Sequence, residues 1–109
     1  MTYQTFNQIV ASFGIPYAYR TFTKDTKRVP PFCVFYYDDR DDVFADNINY
    51  AKVENVIIEL YTSTKDFALE KQIEDILTAN EIAYSKYEVW IDSEKMYEII
   101  YESEVVLNG

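Results

Sequence analysis

Carboxylates are the residues of this chain best placed to do chemistry. Asp38, Asp39, Asp41, Asp42 and Asp46 crowd one short stretch, and hard cations such as Ca²⁺ or Mg²⁺ seek several oxygens in that way. An EF-hand loop, however, needs glycine at its sixth position and glutamate at its twelfth, and this run supplies neither. A solvated acidic turn is the plainer reading, because charge runs are as a rule exposed. Glu98, Glu102 and Glu104 could be imagined as the acid and base of a hydrolase. Their steps of four and two place them on one strand face, which is the pattern of a polar face. A metal nuclease would want an aspartate followed by a strand ending in Glu-x-Lys. The corresponding strand here reads Glu59-Leu60-Tyr61.

The chain has no histidine. That removes the usual acid/base group at neutral pH and the commonest metal ligand, and with them histidine triads and an ordinary zinc site. Gly14 and Gly109 stand alone, so no glycine-rich phosphate loop can be built. The expectation is a protein with no catalytic residue, no cofactor and no metal.

The elements that carry these side chains belong to one domain, 1–109, large enough to bury a core without disulfides or metals. Hydrophobic residues make up 49%, with two glycines and three prolines, which excludes a disordered or low-complexity chain. Eleven tyrosines and seven phenylalanines tilt the expectation towards a contact-making protein, since tyrosine suits half-buried sheet faces and interfaces. The lone Cys33, inside Phe32-Cys33-Val34-Phe35, reads as a buried reduced thiol.

Nineteen acidic against ten basic residues give a net charge of −9, a field that repels nucleic acid and anionic membranes over a Debye length. A conventional nucleic-acid binder is therefore not expected, whereas a nucleic-acid mimic, or a protein past which DNA slides, is compatible. Lys24, Lys27 and Arg28 form the densest basic patch. They read as a solvated loop or as a dock for the acidic surface of a neighbouring subunit. Residues Met1 to Gln4 carry no basic leader pattern and no apolar stretch approaches the ~18 residues that span a bilayer. The expected location is the cytoplasm, with no membrane partner.

Along the chain, Phe6, Ile9, Val10 and Phe13 form one helical stripe over residues 3–13, ended by Gly14 and Pro16. Residues 17–22 read as a strand, 24–31 as a basic loop, and 32–37 as a strand with no polar residue, expected to be central and covered on both faces. A charged turn over 38–42 precedes a hairpin arm over 43–50, and residues 53–62 form a long strand. There Val56, Ile58 and Leu60 share one face while Ile57, Glu59 and Tyr61 share the other. A second helix is expected from about Thr64 to Ala79, capped by Ser63 or Thr64, with Leu69, Ile73, Ile76 and Leu77 buried and Asn80 as left-handed terminator. Two antiparallel strands follow, around the turn Asp92-Ser93-Glu94-Lys95.

The order of elements predicts an α+β fold, a mixed or antiparallel sheet of four to five strands with both helices on one face. The other face would carry Ile57, Tyr61, Trp90 and Ile100 among Glu59, Glu88, Glu98 and Glu102. A subunit shows such a face when a neighbour completes its burial; a solvated sheet with scattered apolar residues fits the same pattern. Candidate subunit contacts are Phe44 and Tyr50 in the arm, Tyr61, Trp90 and Ile100 on the face, and Lys24, Lys27 and Arg28 in the basic loop.

The wording of the C-terminal half adds a resemblance. Asn55-Val56-Ile57-Ile58-Glu59-Leu60-Tyr61-Thr62, then Lys65-Asp66, Glu70, Ile73, Glu74, Leu77 and Tyr84, then Glu88-Val89-Trp90-Ile91-Asp92-Ser93-Glu94-Lys95-Met96-Tyr97-Glu98, resembles small tail completion proteins of siphophages and prophages of Gram-positive bacteria. Ile15-Pro16-Tyr17-Ala18-Tyr19 and Pro30-Pro31-Phe32 fit it too. The resemblance implies a tail-terminator-like fold and a non-enzymatic virion protein of the tail or neck, made in the host cytoplasm. Such a protein caps the tail tube and joins it to the head, commonly as a homo-hexameric ring touching the tail tube protein and head-tail connector proteins. In a ring, part of the set Asp38, Asp39, Asp41, Asp42, Glu98 and Glu102 would face an acidic channel past which DNA slides. Two other readings stay open: a neighbouring connector or stopper, and an acidic DNA mimic that inhibits a host nuclease.

Overall fold

The computed structural model describes residues 1–21, 29–45 and 47–107, and the side chains of 44, 45 and 49–51 lie outside the description. Helix α1 spans Tyr3–Ala11, where Phe6, Ile9 and Val10 give a buried stripe and the Thr2 hydroxyl accepts from Thr5 N at 3.0 Å. This cap satisfies one of the free N–H groups at the helix start. The helix stops at Ala11, short of Phe13, but Phe13 remains fully buried because Gly14, at φ 82, turns the chain beneath it.

Strand β1 (Tyr17–Tyr19) is shorter than its pattern suggests, since Arg20 takes φ 64 and leaves the strand. Strand β2 is longer, Phe32–Arg40. Its pairing with β5 (Val53–Thr62) continues through a bulge between Tyr37 and Arg40, so Asp38 and Asp39 are strand residues and the turn is confined to Asp41 and Asp42. Strands β3 (Val43–Ala45) and β4 (Ile48–Ala51) form the expected arm as a separate two-stranded sheet.

Helix α2 spans Phe67–Ala79, and its cap is Asp66, whose carboxylate accepts from Leu69 N at 3.0 Å. Ser63 and Thr64 lie outside it, because a carboxylate both accepts that bond and complements the positive helix end. At the far end Asn80 has φ −96, and Glu81, at φ 60, is the left-handed residue. Ile82 N donates to Leu77 O and Glu81 N to Thr78 O, with Ile82 buried beside them, the paired bonds of a Schellman ending.

Strands β6 (Ser85–Ile91) and β7 (Met96–Val106) complete a five-stranded sheet of order β1-β2-β5-β7-β6. β1 runs parallel to β2 and every other neighbour is antiparallel, so the fold is α+β with a mixed sheet. Residues from α1 and α2 share one buried cluster with Cys33 and Phe35 of β2, Val56, Ile58 and Leu60 of β5, and Ile99 and Tyr101 of β7. The register makes all these strand residues neighbours on one face. Both helices therefore cover the same side. Cys33 is fully buried, and burial pushes its thiol up to about 12.

A candidate interaction face

The face turned away from the helices is ordered by the register into rows. Phe32, Tyr61, Glu98 and Val89 form one row; Val34, Glu59, Ile100 and Tyr87 form the next; Tyr36, Ile57, Glu102 and Ser85 form a third. Cross-strand partners share a face and their side chains touch. Ile57, Glu59, Tyr61, Glu98 and Ile100 are half-buried, while Tyr87 and Val89 are 50% and 42% exposed. Aromatic and aliphatic groups thus alternate with carboxylates across four strands. This is the composition of a surface that can be desolvated at its apolar points and kept in register by its charges.

Trp90 and Glu88 do not belong to this face. Glu88 pairs with Ile99 and Trp90 with Tyr97, whose neighbours lie on the helix side. The Trp90 and Tyr97 rings sit 4.8 Å apart at 60°. Every residue of β6 from Ser85 to Trp90 is exposed, because the strand is the sheet edge beyond the helices. Its sequence alternation therefore carries no inside and outside, and the turn over 92–95 sets the parity instead.

At the centre of the face stands a carboxylate and phenol cluster. Tyr36 Oη donates to Glu59 Oε1 at 2.9 Å, and Tyr61 Oη lies 2.7 Å from Glu59 Oε2 and 3.0 Å from Glu98 Oε2. The Phe32 ring stacks on Tyr61 at 5.0 Å, and the Arg20 guanidinium lies 4.8 Å above the Tyr36 ring. Burial, then the bond to Glu59, pushes the Tyr36 phenol up to about 12, and the same causes raise Tyr61. Neither phenol ionises at physiological pH, so both serve as fixed donors.

Beside this cluster the sheet surface dips into an open depression of about 640 Å³, lined among others by Asp38, Asp39, Asn55, Ile57, Glu102 and Glu104. The structure thus brings Asp38, Asp39 and Glu102 together and leaves Glu98 with the tyrosines. Asp41 and Asp42 act elsewhere. Asp41 accepts from Asn55 Nδ2 at 2.9 Å, while Asp42 accepts from Val53 N at 3.2 Å and pairs with Arg40. These bonds tie down the base of the hairpin arm. Phe44 and Tyr50 lie in β3 and β4 with side chains outside the described residues; Lys24, Lys27, Arg28 and Asp46 also lie outside them.

Sequence reasoning missed a second polar network on the helix side. Glu70 is 2% exposed and is held between Lys65 Nζ and Lys86 Nζ, each at 2.8 Å. Its signal was present: Glu70, Ile73 and Leu77 follow helical spacing, which puts a carboxylate in the buried stripe. Lys65 also pairs with Glu88, and Tyr101 Oη donates to Glu74 Oε2 at 2.8 Å. Among the described residues no group of three or more carboxylates and thiols is placed to hold a metal ion, and no helix is long and apolar enough to cross a membrane.

No protein-family model matches the chain, and no curated protein matches it at a significant level.

Proposed function

We propose that this chain is a structural phage virion protein that caps the tail tube and joins tail to head as a subunit of a homo-hexameric ring. The observation that carries the reading is the sheet face turned away from the helices, where Ile57, Ile100, Tyr87 and Val89 stand beside a carboxylate and phenol cluster with no helix among the described residues over them. Burying such a face against a neighbour removes apolar area from water at about 25 cal/mol per Å². The separate β3–β4 arm is a second place for subunit contact. In this reading the protein has no catalytic role, resides in the virion tail or neck, and meets the tail tube protein and head-tail connector proteins. The mass of the purified chain, measured with negative-stain images in the presence of tail tubes, tests it. Rings on tube ends support the reading; a monomer that never binds tube ends overturns it.

A DNA-mimicking inhibitor of a host nuclease is the second reading, favoured by the grouping of Asp38, Asp39, Glu102 and Glu104 around one depression. Such a mimic would displace DNA from its target as a monomer or dimer. Competition between the chain and a DNA duplex for a nuclease separates the two readings.

A further inference from the structure

We propose that Glu59, Tyr61 and Glu98 hold one proton between the two carboxyl groups, making the sheet face turned away from the helices a pH-sensitive surface whose charge changes by one unit. A phenol donates one proton and an ionised carboxylate only accepts. Three short contacts join Tyr36, Glu59, Tyr61 and Glu98, at 2.9, 2.7 and 3.0 Å, but the two phenols supply only two protons. The third contact is filled when Glu98 is protonated and donates to Tyr61 Oη. Tyr61 then donates to Glu59, which also accepts from Tyr36. Each oxygen is satisfied and the pair carries a single negative charge.

The placement follows from the sheet. Glu98 is the cross-strand partner of Tyr61, and Glu59 precedes Tyr61 by two residues on the same face. Two carboxylates this close repel, so one of them keeps its proton to higher pH. The surroundings offer little relief. From β2 come Tyr36 and, further along, Asp38; after β1, Arg20 lies over Tyr36; β6 places Val89 opposite Glu98 with Tyr87 beside it; β7 adds Glu102. Among the described residues no strand position of this face holds a lysine or arginine. Burial raises Glu98 above the ordinary glutamate range, a bond donated by Tyr61 to the ionised carboxylate acts against it, and both the Glu59 charge and a hydrogen bond with Glu59 add to the rise.

The consequence goes beyond the tail-end reading and does not depend on it. Any surface that docks here meets one charge below the transition and two above it. Acidification then favours contact with an apolar or acidic partner, and a rise in pH weakens it.

Carbon-detected NMR of the glutamate carboxyl carbons in the full chain, followed against pH, tests the proposal. Glu98 should titrate above the ordinary glutamate range, and Glu59→Gln should lower its midpoint by removing the neighbouring charge. Val89→Lys, on an exposed position of the edge strand directly across from Glu98, should lower the midpoint as well. Titration of wild-type Glu98 in the ordinary range would mean that Tyr61 shares its proton between two carboxylates, and the proposal fails. It also fails if folded Glu59→Gln and Val89→Lys both leave the midpoint in place; should Glu59→Gln not fold, Val89→Lys decides alone.

Discussion

Lys86 Nζ lies 2.8 Å from Glu70 Oε1 and 2.8 Å from Glu74 Oε2, so one ammonium fastens the edge strand β6 to two successive turns of α2. All residues of β6 but the last are exposed. The anchor explains how a strand with so little apolar burial stays in register. Lys65 takes the other side of Glu70 and also reaches Glu88 on β6. The buried carboxylate thus has a cation on each flank.

Replacing Lys86 by methionine should cost about 1 to 2 kcal/mol, less than the 3 to 5 typical of a stranded buried charge, because Lys65 still compensates Glu70. The Lys65→Met, Lys86→Met double variant should cost more than the sum of the single changes, since it leaves Glu70 without a cation. Urea unfolding of the three variants measures this. Simple additivity would mean that the two lysines do not share Glu70.

The ends of α2 make a paired prediction. Asp66→Ala should destabilise by about 1 kcal/mol through the lost bond to Leu69 N, whereas Ser63→Ala and Thr64→Ala should stay within about 0.5 kcal/mol. Glu81→Gly should stabilise, by about 0.5 to 1 kcal/mol, because glycine relieves the φ 60 backbone at an exposed position. Thermal unfolding of the four variants reads all of these shifts.

These helix ends also mark how far the sequence could be read. β5 is legible to its boundaries, since Val56, Ile58 and Leu60 alternate cleanly against Ile57, Glu59 and Tyr61 on a strand with one face packed. The stripe Phe6, Ile9 and Val10 is legible for the same reason, a one-sided core. Caps are less so: Ser63, Thr64 and Asp66 are all good candidates within one turn, and only packing of Leu69 and Ile73 against the sheet selects the last. The outer face was legible at Tyr61 and Ile100, because their strands pack against helices on the reverse. It was misread at Trp90 and Glu88, because an edge strand exposed on both sides leaves no hydrophobic record of its parity. The tyrosine and glutamate cluster joins residues on three strands, β2, β5 and β7, and no local spacing encodes that.

If the face turned away from the helices is a subunit contact, charge placed on its apolar points should block assembly without unfolding the chain. Ile100→Lys lies at the middle of the face, next to Glu59 on one strand and Tyr87 on the other. Sedimentation should find this variant folded but no longer associating with itself or with tail tubes. Trp90→Lys, on the helix side and 46% exposed, should assemble as the wild type does. The reverse outcome would move the contact to the other face.

The two glutamates with shifted titration act in opposite directions, and pH separates them. In Glu74 burial acts upward, but bonds from Lys86, Tyr101 and Tyr84 outweigh it and hold the carboxyl below its ordinary value of 4.5. A carboxyl lowered by folding contributes stability at pH above that ordinary value, and the contribution is lost as the pH falls through the folded value. Glu98 is raised, chiefly by burial, so the sign reverses. Its contribution is complete below the ordinary value and disappears as the pH rises through the folded one. Urea midpoints measured across pH should therefore fall less steeply on the acid side for Glu74→Gln than for the wild type. For Glu98→Gln they should lose a downward slope on the neutral side. Parallel curves for both variants and the wild type would show that neither carboxyl is coupled to folding, and would detach the Lys86 anchor and the Tyr61 cluster from the stability of the sheet.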